Sequence, residues 1–202
     1  MMNDQKRKLC LDLMHADSAE EVISILKAVG YWEDKGVWRL YGDRENNFST
    51  IGNQQNRADA ALVEKIVNAV DARLMNECLA RKINAESQEA PQTIREAVAM
   101  FFDETVAQKS SMAGLMRTWS AQKRTEVARG VTLAATGLKG QEGDMSITIS
   151  DAGEGQTPRM FPDTFLSIDK SNKLRIPFVQ GKFNMGGTGV LEIGRASCRE
   201  RV

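Results

Sequence analysis

The stretch ALVEKIVNAVDARLM (61–75) sets the frame for the rest of the chain. Ala61, Leu62, Ile66, Ala69, Val70, Leu74 and Met75 recur at helical spacing, so a long helix is predicted from Ala58 to about Ala80. Glu64 and Asn68 are four residues apart and Asp71 follows three later, which puts all three on one side of that helix. Polar groups beside an apolar stripe must find a partner or a ligand. A carboxylate one turn from an amide oxygen suits two tasks: Glu64 orients and deprotonates water, and Asn68 completes a Mg2+ shell with phosphate oxygens. Taken alone the spacing is common, and a plain amphipathic helix is the simpler account of it.

Downstream, VTLAAT (131–136) and SITIS (146–150) alternate like strands and are separated by a polar turn, so they are predicted to pair antiparallel. The second runs into Asp151-Ala-Gly153-Glu-Gly155. A carboxylate fixed at a strand end can accept a hydrogen bond from an adenine N6, and the two glycines allow a sharp turn and close backbone approach to a flat base. A tight turn explains the same residues without a ligand. A Ca2+ loop would need more oxygen donors than Gly153, Gln156 and Thr157 supply. The third motif, GKFNMGGTG (181–189), lets successive N–H groups converge on phosphate oxygens, with Lys182 as a point charge. No Gly-Lys-Ser/Thr closes it, so it is not a Walker A loop, and a surface loop is the alternative.

Together and in this order, an acid-and-amide helix, a strand ending in DxGxG and a glycine-rich segment, the chain resembles the GHKL superfamily of gyrase, the heat-shock chaperone, histidine kinases and MutL. The resemblance covers roughly residues 48–191. It implies that Glu64 is the general base, Asn68 the Mg2+ ligand through ATP phosphates, and Asp151 the adenine anchor. It also implies that Asp71, Gly153 and Gly155 shape the pocket, with Gly181, Lys182, Gly186, Gly187 and Gly189 binding the cofactor from the lid. The implied fold is an α/β (α+β) two-layer sandwich of the Bergerat type: a mixed, largely antiparallel sheet with helices on one face, incomplete at the C-terminus. The lid spacing differs from GxHGxG of gyrase and GFRGEAL of MutL, which loosens the individual roles there.

Within that superfamily, hydrolases follow Asn with x-x-Asp-Ala, as Asn68, Asp71 and Ala72 do. The resemblance therefore implies a Mg2+-dependent ATPase acting as a nucleotide-driven conformational switch. By analogy with gyrase and MutL alone it extends to DNA transactions or defence. ATP is the expected ligand, a homodimer the expected state of the full-length protein, and nucleic acid a partner through a further domain. Two other readings stand beside this one. A histidine-kinase-type phosphotransferase would need His15, whose context LDLMHADSAE lacks the His-Glu-x-x-x-Pro pattern. A non-hydrolysing ATP-binding interaction module would keep the pocket without turnover.

Around this region, residues 1–47 are read as a helical lead-in with an aromatic hairpin. Residues 4–15 suit a short helix, and Ser18-Ala-Glu-Glu21 is a capping box for a second, through about Val29. Trp32, Trp38 and Tyr41 surround Asp34-Lys-Gly36, which suggests a hairpin with an aromatic cover. Thr93-Ile-Arg-Glu96 caps a further helix, and another is predicted from Met112 to about Val127. The basic residues Arg117, Lys123, Arg124 and Arg129 there are read as a solvated face.

Composition is that of a folding chain: 42% hydrophobic and 27% charged, with 27 basic and 27 acidic residues among 202. No global field would draw it to a polyanion or a membrane. No apolar run is long enough to span a bilayer and the N-terminus lacks a signal-like core, so a cytoplasmic location is expected. Cys10, Cys78 and Cys198 are too scattered for a zinc site or a disulfide framework. The run IGRASCRERV (193–202) has no strand or helix period and resembles an in-frame translation of a sequencing adapter. Residues 192–202 are accordingly expected to be a non-native tail, and the truncated chain to bind ATP weakly with little or no turnover.

Overall fold

A computed structural model of the chain describes residues 2–16, 18–40, 58–103, 111–136, 146–164, 166 and 173–181. Its helices are α1 (Met2–His15), α2 (Ala19–Ala28), α3 (Ala58–Ala80), α4 (Ile94–Phe102) and α5 (Ala121–Ala128); its strands are β1 (Val131–Thr136) and β2 (Ser146–Asp151). Short 3-10 turns cover Met116–Thr118 and Pro158–Asp163. The described fold is mixed α and β, with α3 lying against both strands.

The predicted caps form. Ser18 Oγ accepts from Glu21 N at 3.1 Å, and Thr93 Oγ1 accepts from Glu96 N at the same distance. The Glu96 carboxylate reaches back one residue further than a standard capping box, accepting from Gln92 N at 2.8 Å. At the far end of α3, Ile83 N donates to Cys78 O at 2.9 Å and Lys82 N to Leu79 O at 3.0 Å. This paired closure is a Schellman ending, with Lys82 in the left-handed position at φ 57 where glycine is usual.

The two strands pair antiparallel in the register Val131↔Asp151 through Thr136↔Ser146. The ladder gains one more bond past the strand, Ala152 N to Gly130 O at 2.8 Å, which carries β2 straight into the glycine turn. The core gathers Leu74 and Cys78 of α3, Ala97 and Phe101 of α4, Ala90 before it, and Ile176, Phe178 and Val179 from late in the chain. Phe101 meets Phe178 edge-on at 6.4 Å. Glu77 holds Arg73 and Arg81 in ion pairs. Their guanidinium groups lie 5.3 Å from the Phe102 ring centre and 5.1 Å from that of Phe101, so charged side chains cover the outer rim of the core.

Two expectations are corrected. Residues 31–37 form successive turns and no strand, so there is no hairpin among the described residues; Tyr41 lies outside them. Asp34 Oδ1 accepts from Gly36 N at 2.9 Å, and the Trp38 indole N–H donates to the carbonyls of Tyr31 and Trp32, which a strand ladder would otherwise use. The aromatic contact itself forms, with Trp32 and Trp38 edge-on at 5.7 Å. The helix expected over Met112–Val127 is also broken. Gly114 takes φ +71, Leu115 and Trp119 are extended, and α5 starts only after Ser120, whose Oγ accepts from Lys123 N. Trp119, 7% exposed, is buried at the point where the backbone leaves helical geometry.

Among the described residues no helix is long and apolar enough to cross a membrane.

Candidate functional site

On α3, Ala61, Glu64, Asn68, Asp71, Met75 and Cys78 follow one another at three- and four-residue steps, so they form a single row along the helix. The ends of this row are closed: Ala61 and Cys78 are buried. Glu64 and Asn68 are half-buried. Four residues of helical rise separate them by about 6 Å along the axis.

Asp71 is the most enclosed member, with no exposed surface. Both its oxygens accept from Gln180 N at 3.0 Å, and Oδ2 also accepts from Gly181 N at 2.8 Å. A buried carboxylate is costly unless its lone pairs are filled, and two backbone amides fill these. Asp71 is thus engaged by the chain's own backbone, and its place in the site is that of a support. The contact brings Gly181 against Asn68: a Cβ on Gly181 would lie 2.7 Å from Asn68 Oδ1 and 3.3 Å from Asp71 Oδ2.

The adjoining flank of α3 receives the turn after β2. Asn76 Nδ2 donates to Ala152 O at 3.1 Å. A Cβ on Gly153 would lie 2.5 Å from Ala72 Cβ, so the backbone approaches the helix as closely as it does only because this residue is glycine. Asp151, the last residue of β2, is exposed, and its Oδ1 accepts from Gly153 N at 2.9 Å. Among the described residues Oδ2 accepts no hydrogen bond. Gly155 takes φ 64, a left-handed conformation that favours glycine.

Electrostatics mark the far side of this turn. Partial desolvation by the surrounding chain pushes the carboxyl of the surface residue Glu154 up from the ordinary glutamate range, against the opposing pull of the Lys173 ammonium. Burial also pushes the Cys78 thiol up, and the negative charge of Glu154 adds to it.

The structure brings Asn68, Asp71 and Gly181 together, and sets Ala72, Asp151 and Gly153 beside them. Lys182, Gly186, Gly187 and Gly189 lie outside the described residues. Among those described, no three His, Cys, Asp or Glu side chains gather as a metal-ligand group. Sequence reasoning missed Asn76, Glu154 and the segment 176–179. The last had a readable signal, since Ile176-Pro-Phe-Val179 is an apolar run immediately before the glycine cluster. Comparison of the chain with family profiles, with curated proteins and with solved structures finds no match, so the geometry around α3 carries the functional argument.

Proposed function

We propose that this chain is an ATP-binding, Mg2+-dependent ATP-hydrolysing unit of GHKL type, working as a nucleotide-driven conformational switch. The reading rests on one observation: the DxG turn after β2 and the start of the glycine-rich segment both dock on the helix that carries Glu64 and Asn68. The Gly153 backbone rests on Ala72, and Gly181 rests on Asn68 and Asp71. In this reading β1 and β2 belong to the mixed sheet of a two-layer sandwich, with α3 on its covered face.

The fit to a nucleotide follows from the donor set. Asn68 offers a neutral amide oxygen with the Gly181 backbone packed close beside it, and such an oxygen can complete a Mg2+ shell with phosphate oxygens. When bound, Mg2+ would neutralise charge on the phosphate oxygens. Asp151 offers a carboxylate oxygen at the exposed end of β2, suited to an exocyclic amine of a base. In this reading Glu64, one turn before Asn68, takes a proton from an attacking water.

Measurement of Mg2+·ATP binding and phosphate release by the wild-type chain and two variants tests the assignment. Asp151→Asn should weaken binding about tenfold or more, the loss of a hydrogen bond to a charged acceptor. Glu64→Ala should spare binding and cut turnover by about 10²–10⁴-fold. Turnover unchanged in Glu64→Ala removes the hydrolytic role. Binding without turnover in the wild type leaves a nucleotide-binding interaction module. A folded wild type that binds no nucleotide defeats the proposal.

A further inference from the structure

The row on α3 contains one carboxylate that cannot meet a ligand, yet it is the best-satisfied acceptor in the region. Asp71 is fully buried and takes the amides of Gln180 and Gly181 with distances of 2.8–3.0 Å. We infer that Asp71 is a positioning residue: by holding these two amides it sets Gly181 against the Asn68 amide oxygen, and so controls how the site takes Mg2+ with a triphosphate. The inference rests on the nucleotide reading above.

Three features separate this from an ordinary structural anchor. The segment before Gly181 is already secured by apolar burial, with Ile176, Phe178 and Val179 at 5%, 0% and 2% exposure. Those contacts would hold the chain in the core without Asp71, but they fix no atom beside Asn68. The carboxylate does so, two residues beyond Phe178. The second feature is chemical. Two neighbouring N–H groups converge on Oδ2, and Oδ1 takes the Gln180 amide as well; an asparagine would keep one acceptor oxygen but lose the charge and turn its NH2 toward the Gln180 N–H. The third is steric. Gly181 sits so near both side chains that a methyl group would press on Asn68 Oδ1 at 2.7 Å. A spacing this tight fixes where a cation held by Asn68 would lie relative to the Gly181 backbone.

Asp71→Asn and Gly181→Ala disturb that spacing from opposite sides, one by releasing Gly181 and the other by pushing it off Asn68. Both retain the apolar anchor. The test combines amide hydrogen exchange at Gln180 and Gly181 without nucleotide, and dissociation constants for Mg2+·ATP and for metal-free adenosine. Asp71→Asn should speed exchange of the two amides and weaken Mg2+·ATP about tenfold or more, the scale of a lost charge-assisted hydrogen bond. Adenosine, which contacts neither phosphate nor metal positions, should change less than about threefold, within half of one such step. Gly181→Ala should reproduce the same split, and it carries the test if Asp71→Asn does not fold. Equal weakening of both ligands in both variants means a general structural role and overturns the inference. So does faster amide exchange with unchanged Mg2+·ATP affinity. If the wild type binds neither ligand, the nucleotide reading itself has failed, and the inference falls with it.

Discussion

Helices α2 and α3 each carry apolar residues at helical spacing, but they stand in different surroundings. No residue of α2 is fully buried, and its packing is with α1. Helix α3 buries Ala61, Ala69, Asp71, Leu74 and Cys78 and receives chain segments from both the middle and the end of the described sequence. The α1–α2 pair is held by local terms: a serine cap, backbone bonds and the exposed Lys8–Asp12 pair at 2.6 Å. Exposed ion pairs of this kind contribute little. Around α3, apolar burial and satisfied polar burial occur in the same place. Stability and the candidate site are therefore coupled there, and the N-terminal pair is expected to open separately from both.

The widest separation should appear in thiol reactivity. Cys10 is exposed on α1, whereas Cys78 is 2% exposed and its thiol is pushed up by burial. Alkylation followed by mass spectrometry should label Cys78 about 10³-fold more slowly than Cys10, because only opening of the α3 core exposes it. Comparable rates would dissolve the contrast between the two regions. Next in size is Phe178→Ala, which should cost about 3–5 kcal/mol in urea unfolding. Leu11→Ala, at a half-exposed site on α1, should stay within about 0.5 kcal/mol.

The capping residues sharpen the comparison further. Thr93→Ala should lower global stability by about 1 kcal/mol, since α4 is part of the core. Ser18→Ala removes an equivalent bond, but its effect should appear as faster amide exchange in the first turn of α2, with the global midpoint unchanged. A shared shift of the midpoint would show that the two regions unfold together.

The smallest effect concerns pH. The folded protein raises the Glu154 carboxyl above its ordinary value of 4.5, so it binds that proton more tightly than the unfolded chain does. The resulting stabilisation is fully present below the ordinary value and is lost as pH rises through the folded one. Glu154→Gln, which cannot ionise, should therefore gain stability relative to wild type as pH increases across that window. A difference that is flat with pH, or of opposite sign, would contradict the upward shift of this carboxyl.

Much of the framework around the site was legible before the fold. The limits of α3, the caps at Ser18 and Thr93, and the antiparallel pairing of β1 with β2 follow from periodicity and short-range hydrogen bonding, which act over a few residues. Local pattern misled where a distant contact intervened. Met112, Leu115, Met116 and Trp119 repeat at helical steps, yet the docking of Gly114 against the Arg95 carbonyl and the burial of Trp119 split that helix. Asp34 and Gly36 form a turn, but no partner strand flanks it among the described residues, and the Trp38 indole occupies the carbonyls nearby. The run before Gly181 is visibly apolar, but nothing in its own residues announces Leu74 and Phe101 as neighbours.

The sequence by itself determined which side chains share the face of α3: Glu64, Asn68 and Asp71 are aligned by helical geometry wherever that helix sits. Only the tertiary structure decided how differently they are used. Asp71 is closed off by amides 109 and 110 residues away, while Asn68 stays half-buried against the same backbone and Glu64 half-buried one turn before it. The physical reason is that helical phase depends on backbone bonds four residues long, whereas the cost of burying a carboxylate is set by whichever distant groups arrive to satisfy it.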